Sequence, residues 1–333
     1  MSPSLQSMPR QTTPLSSAAL PTTTLQFPAN EPQSYRRIDS LFASRTLAVT
    51  DVTCTCPRSP AGALRESGAY QLIFVRRGVF VKHGTARSWP EVAAEPAHVL
   101  LLNSGEPYWV SHPSSRGDAC TAVAYESRMV AEVAKACGAP ERFAARNPFP
   151  AGSAVVPPAA ILRLHRLRQW LRTPDAIVTP GEVEVEALAL LRMVLASAWR
   201  QYRSADPADD DDEMESDVLP GRPDIVETVK QALARYPAAA TSLDDLATYI
   251  GMSPSHLARV FSRGAGLPVH QYLMRLRLGT ALERMSDTSV RMSAIALDAG
   301  FSSASHFTNA FHKTFGLTPT QWRASLPARR RTA

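Results

Sequence analysis

Apolar positions in the carboxy-terminal third of the chain recur as two copies of one pattern. Leu246-Ala247, Gly251, Phe261, Gly266-Leu267 and Tyr272 are answered by Ile295-Ala296, Gly300, Phe311, Gly316-Leu317 and Trp322, at a shift of 49 residues that becomes 50 after the glycine. Matched anchors of this kind predict two small helical modules with similar cores, each a helix, a tight turn and a second helix. In the first module Ser242 and Asp245 form a capping-box start, and Leu243, Leu246, Ala247 and Ile250 follow at helical spacing. Gly251 ends that helix, because glycine accepts a positive φ without strain; Ser253 then caps the next one, with Pro254 at its first position.

Once Leu257, Val260 and Phe261 are assigned to the core, the rest of this second helix shows Ser255, His256, Ala258, Arg259, Ser262 and Arg263. Short and basic side chains of this kind can approach base edges and phosphates in a major groove. The matching helix, capped by Ser302 or Ser303, buries Phe307 and Phe311 and shows Ala304, Ser305, His306, Thr308, Asn309, His312 and Lys313. Between the modules, Val269 to Met285 has helical periodicity and no proline. Seventeen residues at about 1.5 Å each span about 25 Å, enough to hold two recognition helices roughly one DNA turn apart.

Upstream the period changes. Short runs rich in β-formers, Leu47 to Thr55, Tyr70 to Val75, Val79 to His83, Val99 to Leu102, Tyr108 to Ser111 and Cys120 to Tyr125, predict strands of a small barrel or sandwich, with Arg77-Gly78 as a hairpin turn. After Pro157, Ile161, Leu164, Leu167, Trp170 and Leu171 predict one amphipathic helix, and Thr179, Pro180 and Glu182 start another that runs through Leu188, Leu195 and Trp199 to Tyr202. These two helices either form a dimer surface or pack on their own strands.

Charge sharpens this division. Residues 221–333 carry 14 Lys and Arg against 7 Asp and Glu, net +7, whereas residues 1–220 sum to −1. The basic excess falls on the half with the repeated modules, as phosphate binding requires. Residues 205–217 hold eight acidic side chains and no basic one, which predicts a solvated linker. Residues 1–34, rich in Ser, Thr, Pro and Gln, predict a disordered tail without a signal peptide, and the chain is expected to be cytoplasmic with no membrane span.

The run Ile295, Gly300-Phe301, Ser303, His306-Phe307, Phe311-His312-Lys313, Phe315-Gly316, Thr318-Pro319 and Trp322-Arg323 resembles the signature of AraC/XylS-type transcription regulators. The resemblance covers residues 221–326. It implies base reading by Ser255, Ala258 and Arg259, then by Ala304, Ser305, Thr308 and Asn309. Alanine and asparagine stand where many relatives carry longer or basic side chains, so the second helix is expected to read fewer bases. Arg263, Arg275, Lys313 and Arg323 are expected to touch phosphates. The resemblance also implies an amino-terminal cupin-like barrel that senses a small molecule or mediates dimerisation, with Tyr70, Phe74, Phe80, His83, Tyr108, Trp109 and His112 as candidate pocket residues.

A catalytic cupin usually offers a close His-x-His pair to a metal, and this chain has none, so no enzyme, cofactor or metal is expected. Cys54 and Cys56 are predicted to alternate across a strand, which makes joint ligation awkward. Cys120 and His112 complete a soft-metal or redox site only if the strands bring them near Cys54; otherwise the thiols are core.

The expected fold is therefore an α+β multidomain chain: a tail (1–34), a cupin-like domain (35–126), a helical linker or dimerisation region (127–204), an acidic linker (205–220), an all-α double helix-turn-helix domain (221–326) and a basic tail (327–333). The expected function is sequence-specific regulation of transcription, as an activator rather than a repressor, with double-stranded DNA, RNA polymerase, a small-molecule effector and a second copy of the chain as partners. A metal-dependent enzyme fused to a DNA-binding domain and a protein-interaction adaptor are the alternatives.

Overall fold

The computed structural model describes residues 35–59, 62–84, 91–173, 178–204, 224–239, 242–287 and 289–326. Both predicted tails and the acidic linker lie outside them. In chain order the strands are β1 (Arg36–Ala43), β2 (Leu47–Cys54), β3 (Arg65–Glu66), β4 (Tyr70–Arg77), β5 (Phe80–Gly84), β6 (Glu91–Ala94), β7 (His98–Leu102), β8 (Pro107–Ser111), β9 (Asp118–Tyr125) and β10 (Ser153–Val155). They pair into a six-stranded sheet, β1-β2-β9-β4-β7-β10, and a four-stranded sheet, β3-β8-β5-β6. Among the described residues these remain two sheets and do not close into one barrel.

Side chains alternate along a strand, so the larger sheet has two distinct faces. Val52, Ile73, Val75, Leu100, Cys120 and Ala122 meet Phe80, Val92, Tyr108 and Val110 of the smaller sheet. The opposite face, with Leu47, Val49, Leu72, Phe74, Val99, Leu101, Val123 and Tyr125, is covered by helices. Those helices are α1 (Ser127–Ala136), α2 (Glu141–Arg146), α3 (Pro158–Arg172) and α4 (Pro180–Ser204).

Helix α4 begins at the predicted box, where Glu182 N–H donates to Thr179 Oγ1 (3.3 Å) and Thr179 N–H to the Glu182 carboxylate (2.7 Å). Its apolar stripe, from Val183 through Leu190, Leu191, Val194 and Leu195 to Trp199, is spent on the chain's own sheet. Tyr125 Oη donates to Ala187 O (2.8 Å) and fastens helix to strand.

The predicted hairpin at Arg77-Gly78 is not one. β4 and β5 belong to different sheets, and Gly78, at φ 78°, passes so close to the start of β9 that a Cβ would sit 2.4 Å from Gly117 O. The turn therefore carries the chain from one sheet to the other.

The carboxy-terminal domain contains α5 (Ile225–Arg235), α6 (Leu243–Ile250), α7 (Pro254–Ala265), α8 (Val269–Met285), α9 (Met292–Asp298), α10 (Ala304–Phe315) and α11 (Pro319–Ser325). The Ser242/Asp245 box is present, and Gly251 closes α6 at φ 79°. Gly300 occupies the equivalent position at φ 88°. Helix α8 is continuous, as predicted, and is shared: Tyr272 and Leu276 enter the core of the first module, Leu278, Ala281, Leu282 and Met285 that of the second.

This domain is packed against the sheets. Val79, Ala93, Ala97 and Val155 share a core with Val229, Leu257, Phe261 and Tyr272. Glu227 of α5 accepts the Ala93 N–H of β6, and His98 Nε2 donates to Ala265 O (2.9 Å). At the centre of the contact Arg76, its side chain 2% exposed, pairs with Glu283 of α8 and donates to Thr121 Oγ1 (3.0 Å). Asp51 accepts from Thr121 (2.7 Å), Arg168 (2.7 Å) and Arg172 (3.1 Å). Glycine within a helix costs about 1 kcal/mol relative to alanine. At Gly279 of α8 it permits a close approach, since a Cβ would lie 2.8 Å from that of Pro96.

Candidate nucleic-acid interface

Both predicted recognition helices start at a serine cap. Ser253 Oγ accepts His256 N–H (3.4 Å) at the head of α7, and Ser303 Oγ accepts His306 N–H (3.1 Å) at the head of α10. Each helix turns its aromatic residues inward, with Phe261, Phe307 and Phe311 at most 1% exposed. The outward face of α7 leaves Ser255, Arg259 and Arg263 exposed and Ala258 half-buried. On α10, Ala304, Ser305, His306, Asn309, His312 and Lys313 are exposed, so docking of the domain on the sheets covers neither face. Thr308 is half-buried and its hydroxyl donates to Ala304 O (2.9 Å), which leaves it only acceptor capacity.

Arg275 and Arg323, expected to touch phosphates, bond backbone carbonyls. Arg275 Nη1 donates to Val156 O (2.6 Å) across the seam with the sheets, and burial lowers its pKa from the ordinary value, with Glu95 opposing. Arg323 Nη1 donates to Val290 O (2.9 Å), and burial lowers its pKa as well. Sequence periodicity places both on helices but does not show that backbone carbonyls of neighbouring segments reach them. Arg263 and Lys313 remain exposed on α7 and α10.

The seven pocket candidates separate by strand parity. Phe80, Tyr108 and His112 line a cleft between the two sheets, beside Cys54, Arg65 and Cys120. Tyr70 and Phe74 point the other way into the helix-covered core, where Tyr70 meets Phe149 edge-on (5.9 Å). His83 and Trp109 lie outside the cleft and stack at 5.3 Å, and His83 Nε2 bonds Ser111 Oγ (2.8 Å). These four do not line that cleft; Tyr108 and Trp109, adjacent on one period-2 strand, face opposite ways.

Sequence reading missed the charged seam, Arg76, Asp51, Arg168 and Glu283. No local signal marks it, because its members are far apart in the chain and look like ordinary surface residues. Among the described residues no helix is long and apolar enough to cross a membrane.

Residues 246–325 match the family model described as a helix-turn-helix domain. Over 84 residues the chain is 34% identical to the HTH-type transcriptional activator AarP of Providencia stuartii, a match covering 25% of this chain and 62% of that protein. Over 93 residues it is 32% identical to the melibiose operon regulatory protein of Escherichia coli K12, covering 28% and 31%. An uncharacterised HTH-type regulator of Staphylococcus aureus (strain COL) is 37% identical over 87 residues, 26% of this chain and 12% of that one. The chain thus spans from about an eighth to under two thirds of the length of these curated relatives.

Among solved structures, the C-terminal domain of AraT from Geobacillus stearothermophilus aligns with 33% of this chain and 93% of its own at 24% identity and a TM-score of 0.32. ToxT from Vibrio cholerae O395 aligns with 89% and 99% at 10% identity, also at 0.32, a score too low to guide any reading of this chain. The repeated helix pairs, their glycine turns and the family match define the carboxy-terminal region as a helix-turn-helix domain.

Proposed function

We propose that the chain is a sequence-specific regulator of transcription that binds double-stranded DNA through α7 and α10. The observation that carries this is the exposure of two serine-capped helix faces, one bearing Arg259 and the other Asn309, on modules joined by the single helix α8. Arginine suits the O6 and N7 acceptors of guanine, and asparagine the N6 and N7 edge of adenine. Ser255, Ala258, Ala304 and Ser305 approach closely because they are short, while Arg263 and Lys313 supply phosphate contacts. The names of the relatives favour an activator, which implies RNA polymerase as a partner.

The two-sheet domain is read as an opened cupin-like sensor whose effector, a small and mostly apolar molecule, enters the cleft beside Phe80, Tyr108 and His112. Dimerisation is assigned to surface that α4 leaves outside, where Val185 is 65% and Tyr202 40% exposed.

Selection of binding sites from a random duplex pool, followed by footprinting, tests the DNA reading. The expected site has two half-sites about 10 base pairs apart. Arg259→Ala should weaken binding to the selected site by about 1 to 3 kcal/mol and to random DNA much less. No enrichment of any sequence would overturn the proposal, and equal loss on both DNAs would reduce Arg259 to a phosphate contact.

A further inference from the structure

The geometry points to a metal site formed by Cys54, Cys56 and His112 at the edge of the two-sheet domain, which takes one thiophilic d10 cation such as Zn2+ when the cysteines are reduced. The expected alternation of the two cysteines does not hold. β2 ends at Cys54, paired with Arg36 and Asp118, and Cys56 lies beyond the ladder. Freed from strand geometry, the chain curls until the two Cα atoms are 5.4 Å apart and the sulfurs form a disulfide.

His112 is brought to the same place from β8. Its backbone exchanges two hydrogen bonds with Ser59, at 3.0 and 3.1 Å, and so pins the segment after Cys56 against it. The two cysteine sulfurs and one imidazole nitrogen lie within 4.8 Å of one another.

The orientation of the ring suits ligation. His112 Nδ1 donates to Asp118 Oδ2 (3.0 Å), and this fixes the tautomer that leaves the Nε2 lone pair facing Cys54 Sγ at 3.9 Å. A tetrahedral ion with bonds of about 2.3 Å to sulfur and 2.0 Å to nitrogen separates those two donors by about 3.6 Å. Cys56 N–H donates to Cys54 Sγ (3.2 Å), a bond that stabilises a thiolate there. A carboxylate behind a ligating histidine is the usual outer support of such a site. Cys120, although on the cleft wall, is not part of the triad.

Occupation requires the disulfide to be opened. A dithiol supplies two electrons and two protons and becomes a disulfide, or a phosphine with one water does so and becomes the phosphine oxide, and the S–S bond becomes two thiols. The cation then displaces both thiol protons, forming two metal–sulfur bonds and one bond to neutral His112. The fourth position is left to water or another small donor. The site stands whether or not the chain reads DNA.

The test uses the full chain, reduced anaerobically with a phosphine, titrated with Zn2+ against a chromophoric chelator and separately with Co2+. One equivalent of Zn2+ per chain and a thiolate-to-cobalt charge-transfer band are expected. The same chain oxidised to the disulfide should show neither, a comparison that needs no variant to fold. Cys56→Ser should abolish the band, Asp118→Asn should weaken binding about 10- to 100-fold, and Cys137→Ser should change nothing. No stoichiometric uptake by the reduced chain, equal uptake by the oxidised chain, or uptake that survives a Cys54→Ser, Cys56→Ser double variant would overturn the assignment.

Discussion

The two helix-turn-helix modules share a sequence pattern but not a setting. The core of the first module is completed by another domain: Val79, Ala93, Ala97 and Val155 pack among Val229, Leu257, Phe261 and Tyr272. The second module closes its core mainly on itself, around Ile295, Phe301, Phe307, Phe311 and Trp322, with Ile161 and Leu162 of α3 at its border. Duplication of a pattern therefore does not imply duplication of a role. One copy is keyed to the amino-terminal domain, and the other is attached mainly through α8.

The sharpest way to break this comparison is to cut the same side chain from each core. Phe261→Ala and Phe311→Ala should each cost about 3 to 5 kcal/mol. Loss of Phe261 should loosen amide-exchange protection in β6 and β7 as well as in its own module, whereas loss of Phe311 should leave those strands protected. Equal spread of the damage would refute the contrast.

Next in size is the buried charge seam. Glu283→Ala removes one of the two carboxylates paired with the buried Arg76, leaving Asp51, and should cost about 3 kcal/mol. Denaturant unfolding measures this, and limited proteolysis should show the two domains parting before either unfolds.

A pH effect of intermediate size is expected from His165, which burial drives down to about 4, with Arg168 and Arg76 adding to the shift and Glu283 and Asp51 opposing it. Below its ordinary value of 6.5 the unfolded chain takes a proton that the folded chain refuses. Stability is thus fully present above pH 6.5, falls as pH drops toward 4, and levels off beneath. At pH 5 the loss attributable to this ring is on the order of 2 kcal/mol, and His165→Gln should flatten that part of the stability–pH profile.

The smallest expected effect comes from the caps. Ser253→Ala and Ser303→Ala should each cost about 1 kcal/mol. Thermal melts of the two variants should show the shift for each.

The features that were legible in the sequence are the local ones. The Ser242 box, the Gly251 and Gly300 turns and the extent of α8 follow from backbone chemistry within a few residues. Six of the strands were visible because β-branched and aromatic residues cluster in them. β1, β3, β6 and β10 were not: β3, β6 and β10 are short, and β1, at the sheet edge, has no buried residue to mark a period.

Partition between the sheets was hidden for a different reason. β9 is buried along its whole length, so polarity does not alternate and no face is marked. The backbone partners of Arg275 and Arg323, Val156 O and Val290 O, were not legible because they come from segments that only the fold brings near. The Cys54, Cys56 and His112 grouping was obscured by assuming that β2 ran on to Thr55.

Helix α8 also sets a phase. Because it belongs to both module cores without a break, one residue inserted between Leu276 and Leu278 would swing the second module about 100° around the helix axis and advance it about 1.5 Å. Seven inserted residues would bring the angle back to within about 20° while lengthening the gap by about 10 Å. The angular relation between the two outward faces is thus stored in a count of residues.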